Sequence, residues 1–257
     1  MTPHHIARKR FGQHFLTDES VIHAIIALIH PQNGDRLIEI GPGLGALTLP
    51  LLSFGQPLTL IELDRDLVER WQRHPQREHL TILAQDVLTV DFHRFEAPWR
   101  LIGNLPYNIS TPLLFHLANY ADRMHDSHFM LQKEVVDRLV ASPGQSDYGR
   151  LSVMLQYHFH MASLLLVEPE SFNPPPKVRS AIVRLIPRCA EEKPASNPTT
   201  LSAIVTGAFA QRRKMLRSSL KGLLSASALH AVGIDPERRG ETLSLEEFCR
   251  LSLIAAF

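Results

Sequence analysis

Asn104-Leu105-Pro106-Tyr107 sets an amide, a carbonyl followed by proline and a phenol in four residues, directly after the apolar run "RLIG". These groups suit one demanding reaction. The exocyclic amine of adenine is a poor nucleophile, because its lone pair is delocalised into the ring. A site that alkylates it must accept its N–H hydrogens, so that the nitrogen pyramidalises and its lone pair turns to the alkyl donor. The Asn104 side-chain oxygen is one candidate acceptor and the Leu105 carbonyl a second. Pro106 restricts the backbone that carries that carbonyl, and Tyr107 offers a ring face on which a base stacks. No strong base is needed. Asn-x-Pro is also an ordinary strand-end turn, so the chemistry follows only if a ligand site lies beside it.

Three strand ends supply that site. Gly41-Pro42-Gly43-Leu44-Gly45 follows the strand-like "LIEI" and opens a helix-like run. Glycines here let a ligand press against backbone. Glu62 ends the next strand, where an acid accepts both hydroxyls of a ribose. Asp86 ends a third, placed to bond an adenine amino group. Gly-rich, acidic and acidic ends in succession mark an adenosine-containing ligand. A diphosphate fits less well than a methionine-type tail: the pattern is Gly-x-Gly-x-Gly, and Pro42 removes an N–H that a diphosphate would use. Asp64 and Asp66 read as surface acids that cap a helix.

The elements that must position these residues are visible in the pattern. Residues 17–30 form an apolar helical stripe behind a Thr/Asp cap. "DRLIEIGPGLGALTLPLL", "PLTLIELD", "LTILAQDVL", "RLIGNLPY" and "SHFMLQ" supply five strands, the last running into the helix-like "KEVVDRLVA". "MASLLLVE" and "SAIVRLIP" flank a proline-rich stretch and predict an antiparallel hairpin at one edge. Strands alternating with helices predict an α/β fold with a mostly parallel, Rossmann-like sheet. Beyond Pro187 the composition turns to linker, then to helix without strand signal. The expected domains are a catalytic one over 1–189 and a small all-helical one over 190–257.

Composition narrows the class. In 257 residues, 44% are apolar and 21% charged, with a net charge of +1, as in an ordinary soluble protein. The two cysteines, Cys189 and Cys249, form neither a disulfide framework nor a Cys-x-x-Cys site. No membrane span or secretory signal is expected, which points to the cytoplasm. Fourteen histidines show no ligand spacing, so no metal is expected.

The chain resembles the small-subunit rRNA adenine-N6,N6-dimethyltransferases. The resemblance runs through "RKRFGQHFL", "EIGPGLGALT", "IELDRDL", "GNLPYNIS", "FMLQKEVVDRL", "YGRLSVM", "FNPPPKVRSAIVRL" and "FAQRRKMLRSSL", in family order over nearly the whole chain. It implies a monomeric enzyme that uses S-adenosyl-L-methionine to methylate two adjacent adenosines near the 3′ end of 16S rRNA, with a role in ribosome biogenesis. By position it puts cofactor contacts at His14, Leu16, Gly41, Glu62, Asp86 and Asn104, to which the glycine turn adds Gly43. Many family members carry asparagine where this chain has His14.

The RNA surface has its own candidates. Arg8, Lys9 and Arg10 form a basic arm that either orders over RNA or cofactor, or stays solvated. Phe172 either sandwiches the target base against Tyr107 or sits in the core. From 209 to 222 there are five basic residues and no acid. Arg213, Arg217 and Lys221 would share one face of a continuous helix, either contacting phosphates or merely solvated. Other functions compatible with the motifs are a large-subunit rRNA or DNA adenine-N6 methyltransferase, and a mainly non-catalytic checkpoint in small-subunit assembly.

Overall fold

The computed structural model describes residues 13–255. In chain order its principal elements are β1 (Phe15–Leu16), α1 (Glu19–Ile29), β2 (Leu37–Ile40), α2 (Thr48–Leu52), β3 (Leu58–Glu62), α3 (Arg65–Gln72), β4 (Leu80–Ala84), β5 (Trp99–Asn104), α4 (Ser110–Ala118) and β6 (Met124–Gln132). They continue with α5 (Lys133–Val140), α6 (Arg150–Gln156), β7 (Phe159–Val167), β8 (Phe172–Asn173), β9 (Ser180–Pro187), α7 (Pro198–Ala210), α8 (Leu216–Ser219), α9 (Ala226–Ala231) and α10 (Leu245–Ile254). The expected strands and the capped first helix all form, the latter with Asp18 accepting from the Ser20 and Val21 N–H groups.

Seven strands make one sheet in the order β4-β3-β2-β5-β6-β9-β7. β4 through β6 are parallel, and β9 runs antiparallel to β6. The expected edge hairpin is thus present, with β9 on its inner side. β2, β5 and β6 are buried along almost their whole length, as inner strands covered on both faces are. Leu101, Ile102, Phe129 and Leu131 are wholly buried. The chain moves outward from β2 to β4 and then returns to the other side of β2 as β5. That reversal is the point where an open α/β sheet leaves a crevice at the carboxyl ends of its strands. Here the crevice lies between Ile40-Gly41 and Asn104. Gly103 makes it narrow: a Cβ there would stand 2.7 Å from the Ile40 carbonyl oxygen.

The chain divides into two compact units. One takes in the chain up to Val136 together with Met161–Pro187, the other Asp137–His160 together with the chain from Arg188. This differs from the single boundary expected near 190. The 137–160 segment joins the C-terminal helices because its apolar residues belong to their core. Ala141, Tyr148 and Val153 pack with Leu201, Ile204, Val205, Leu216 and Phe248, and the Tyr148 hydroxyl donates to the Leu243 carbonyl at 2.9 Å.

In the first unit one buried ion pair ties two parallel strands. Arg100 on β5 meets Asp126 on β6 side-on, Nε to Oδ1 at 2.8 Å and Nη2 to Oδ2 at 3.0 Å. Its Nη1 reaches Asp35 at 2.6 Å. Burial alone would raise the Asp126 carboxyl, but the Arg100 hydrogen bonds and charge outweigh it and hold it below the ordinary aspartate range. Its contribution to stability is therefore complete above the ordinary pKa and disappears as pH falls through the depressed one. Asp126→Ala is expected to cost about 3–5 kcal/mol at neutral pH, since it removes one of the two carboxylates that neutralise a buried guanidinium. Urea unfolding at neutral and at strongly acid pH should show the gap between wild type and variant narrowing in acid.

Candidate active site

A cleft of about 1210 Å³, partly open to solvent, lies at the carboxyl ends of β2, β3, β4 and β5. Gln13 to Leu16, Glu39 to Leu44, Glu62, Asp86 and Asn104 to Tyr107 all line it. Of the residues expected to bind cofactor, His14, Leu16, Gly41, Gly43, Glu62, Asp86 and Asn104 all meet there. The Gly41–Gly45 turn is held by a residue the sequence did not single out. Trp71 Nε1–H donates to the Gly43 carbonyl at 3.1 Å, and its ring packs so closely under Gly45 that a Cβ would come within 2.8 Å. Gly45 also has φ +104°, open to glycine at little cost.

The acids divide by their partners. Glu62 Oε1 accepts from the Leu63 and Asp64 N–H groups, both at 2.8 Å. Burial pushes its carboxyl up and these backbone donors pull it back, leaving it above the ordinary range. An acid held by backbone N–H donors from Leu63, Asp64 and Gly43, beside other acids, suits neutral hydroxyl donors such as those of a ribose. Asp86 caps a short turn, Oδ1 accepting from the Leu88 N–H at 3.0 Å. Asp64 caps α3 as expected, accepting from the Asp66 N–H at 3.1 Å. It is not a surface acid, being 1% exposed, because the Gln13 amide reaches it at 3.3 Å from above.

Glu39 was missed. It lies inside β2 at 2% exposure and accepts from the Thr48 hydroxyl at 2.7 Å. Burial raises its carboxyl to about 8, helped by the charge of Glu62. The signal available in the sequence was a lone acid in the buried strand "LIEI".

Asn104 is oriented by the chain's own N-terminal segment. Its Nδ2–H donates to the His14 carbonyl at 2.9 Å. A carbonyl only accepts, so the NH₂ must face His14 and Oδ1 is left as the acceptor. Leu105 N–H donates to the Met130 carbonyl at 3.2 Å, which ties the loop to β6. The Tyr107 hydroxyl lies 2.8 Å from Ser180 Oγ. Burial raises its pKa, with Ser180 opposing.

Two expectations fail. Phe172 does not wall the base pocket. It is 3% exposed and packs with Leu16, Ile26 and Val167 in the core, because β8 pairs antiparallel with β1, Leu16 opposite Phe172. Nor do Arg213, Arg217 and Lys221 share a helical face. α7 ends at Ala210, and from there to residue 222 only Leu216–Ser219 is α-helical. The backbone there is diverted to another segment, Leu216 N–H donating to Arg238 O and Arg217 N–H to Pro236 O. Arg217 pairs with Glu237 at 3.5 Å. All three basic residues are exposed. Arg8, Lys9 and Arg10 lie outside the described residues. Among those described, no group of three His, Cys, Asp or Glu could hold a metal, and no helix is long and apolar enough to cross a membrane.

Comparison with known proteins decides the family. The model for ribosomal RNA adenine dimethylase matches residues 4–256. The chain belongs to the ribosomal RNA adenine dimethylase family. It is 57% identical to the ribosomal RNA small subunit methyltransferase A of Laribacter hongkongensis, over 96% of this chain and 95% of that one. Among solved structures it is similar to a dimethyladenosine transferase from Plasmodium falciparum, with a TM-score of 0.81 at 25% identity, covering 93% and 96% of the two chains. The 23S rRNA methyltransferase ErmE shares the fold, with a TM-score of 0.72 at 23% identity over 93% and 98%. The fold is that of the S-adenosylmethionine-dependent methyltransferases, and as a family member this chain is an rRNA adenine-dimethylating enzyme.

Two outcomes are expected at the cleft. Glu62→Ala should weaken S-adenosylmethionine and S-adenosylhomocysteine alike in calorimetry, since the ribose is common to both. For Glu39 the folded pKa lies above the unfolded one, so its proton stabilises the fold at low pH and that stability is lost as pH rises toward about 8. The melting temperature of wild type should therefore fall more steeply between about pH 5 and 8 than that of Glu39→Gln. Parallel curves would mean that Glu39 is ionised throughout.

Proposed function

We propose that the protein transfers methyl groups from S-adenosyl-L-methionine to N6 of two adjacent adenosines in a hairpin near the 3′ end of 16S rRNA, acting on the small ribosomal subunit during its biogenesis. The family and the name of the L. hongkongensis relative support the substrate. The observation that carries the chemistry is the Asn104 amide, turned by the His14 carbonyl so that its oxygen is the acceptor. When bound, S-adenosylmethionine supplies an electrophilic methyl group on a sulfonium.

This chain's own residues do the rest. Glu62 and Asp86 receive the ribose and the adenine amine of the cofactor, while Gly41 and Gly43 let it lie against backbone. Asn104 Oδ1 and the Leu105 carbonyl accept the hydrogens of the target N6, which raises the density of its lone pair. Tyr107, fixed through Ser180, presents a ring to the base. Because the acceptors are neutral, a once-methylated amine with one remaining N–H still finds a partner, as a second transfer requires. Arg213 and Lys221, exposed in the C-terminal unit, are proposed phosphate contacts. Arg217 is already paired with Glu237 and should add less.

The test is nucleoside analysis for N6,N6-dimethyladenosine after incubation with small subunits lacking the modification, beside large subunits and duplex DNA. Product only in the small subunit is expected. Product in either of the others alone would overturn the substrate. Asn104→Ala should lower kcat by about 10²–10³-fold, as the loss of one oriented polar group does, with cofactor affinity held within a few-fold. A kcat within threefold of wild type would remove Asn104 from the chemistry.

A further inference from the structure

The chain has one Asn-Gly pair, Asn33-Gly34, in the connection from α1 to β2. Asp35 N–H donates to the Gln32 carbonyl at 3.1 Å and closes a tight turn with Asn33 and Gly34 at its centre. Gly34 has φ +88°, a value that the third position of such a turn reserves for glycine. Both residues are exposed, and a Cβ at Gly34 would meet no atom within 4 Å. With no side chain on the following residue, nothing shields its backbone nitrogen from the asparagine carboxamide. Gln56, in the connection from α2 to β3, holds both groups. Its Oε1 accepts from the Gly34 N–H at 3.3 Å, and its Nε2 donates to Asn33 Oδ1 at 3.4 Å.

We infer that Asn33 is a site of spontaneous deamidation and that Gln56 is its guard. Solvent hydroxide removes the Gly34 N–H proton, and the nitrogen attacks Asn33 Cγ. A new C–N bond forms, the bond from Cγ to Nδ2 breaks, and ammonia departs to leave a cyclic imide. Water then opens either imide carbonyl, giving aspartate or β-linked isoaspartate. The Gln56 amide opposes the first step at both partners: Oε1 keeps the proton on the nitrogen, and Nε2 anchors the side chain that must swing onto it. At 3.3 and 3.4 Å both hydrogen bonds are long, so the guard slows cyclisation without abolishing it. The product reaches the buried ion pair through the next residue. Asp35 Oδ2 accepts from the Gln32 N–H at 2.8 Å and from Arg100 Nη1 at 2.6 Å. A β-linked residue lengthens the backbone between Gln32 and Asp35, which pulls that carboxylate from Arg100 and leaves the guanidinium with Asp126.

The experiment ages the full chain in mildly alkaline buffer as wild type, Gln56→Met, Gln56→Ala and Asn33→Ser, beside wild type unfolded in urea. Deamidation is read by mass spectrometry of the tryptic peptide that ends at Arg36, which contains no other asparagine. Gln56→Met removes the acceptor and the donor at nearly constant side-chain length. Folded wild type should deamidate more slowly than the unfolded chain. Both Gln56 variants should react about 5- to 30-fold faster than folded wild type, as the loss of two hydrogen bonds at the weak end of their range implies. Calorimetric affinity for S-adenosylhomocysteine should hold in both, which reports that they fold. The melting temperature of wild type should drop on ageing, and that of Asn33→Ser should not. No acid at position 33 in folded or unfolded wild type, equal rates with and without the Gln56 amide, or a deamidated protein that melts like the fresh one would each overturn the inference.

Discussion

The hydrogen bond from Asn104 to the His14 carbonyl is the constraint on which the site turns. An amide has two nearly equal faces, one that donates and one that accepts. Only a partner that cannot donate selects between them. A backbone carbonyl is such a partner, but it must be carried to the carboxyl end of β5 from a segment ninety residues earlier in the chain. Everything around the N-terminal segment serves that delivery. β1 pairs with β8, Thr17 N–H bonds to Ser171 O at 2.9 Å, and the Gln13 amide rests on Asp64. A strand pair only two residues long on each side therefore sets the polarity of the active site.

The cleft also concentrates acids. Glu39, Glu62, Asp64 and Asp86 stand within a few residues of the strand ends, where they accept from backbone N–H groups, the Thr48 hydroxyl and the Gln13 amide. Burial and mutual repulsion keep Glu39 protonated to about pH 8. The site thus holds fewer negative charges than its composition suggests.

Much of this could be read from the residues. The strands and first helix follow from hydrophobic period and capping, both local. The three strand ends and the Asn104–Tyr107 loop could be found because short motifs carry them. What escaped depends on distant pairing. Phe172 sits in a polar, proline-rich stretch that reads as a surface loop, and only its pairing opposite Leu16 turns it inward. The stretch from 209 to 222 has helical spacing, yet the Met215 bridge to Arg239 competes for its backbone and wins. The 137–160 segment is helical by pattern, but its allegiance to the C-terminal core is written in Tyr148 and Leu243, which lie 95 residues apart. Glu39 was within reach, since an acid in a fully buried strand needs a reason.

The pairing of β1 with β8 has a consequence in time. During synthesis His14 emerges long before its partner Pro174, which lies 160 residues further on. At about 5–20 residues per second the gap lasts roughly 8–32 s. Ser180, which steadies Tyr107, arrives later still. By the end of that interval the chain contains the glycine turn, Glu62, Asp86 and the Asn104 loop, but not yet Ser180, which meets the Tyr107 hydroxyl. The contacts that orient the amide and the phenol are therefore complete only once Ser180 of the 257 residues has been made.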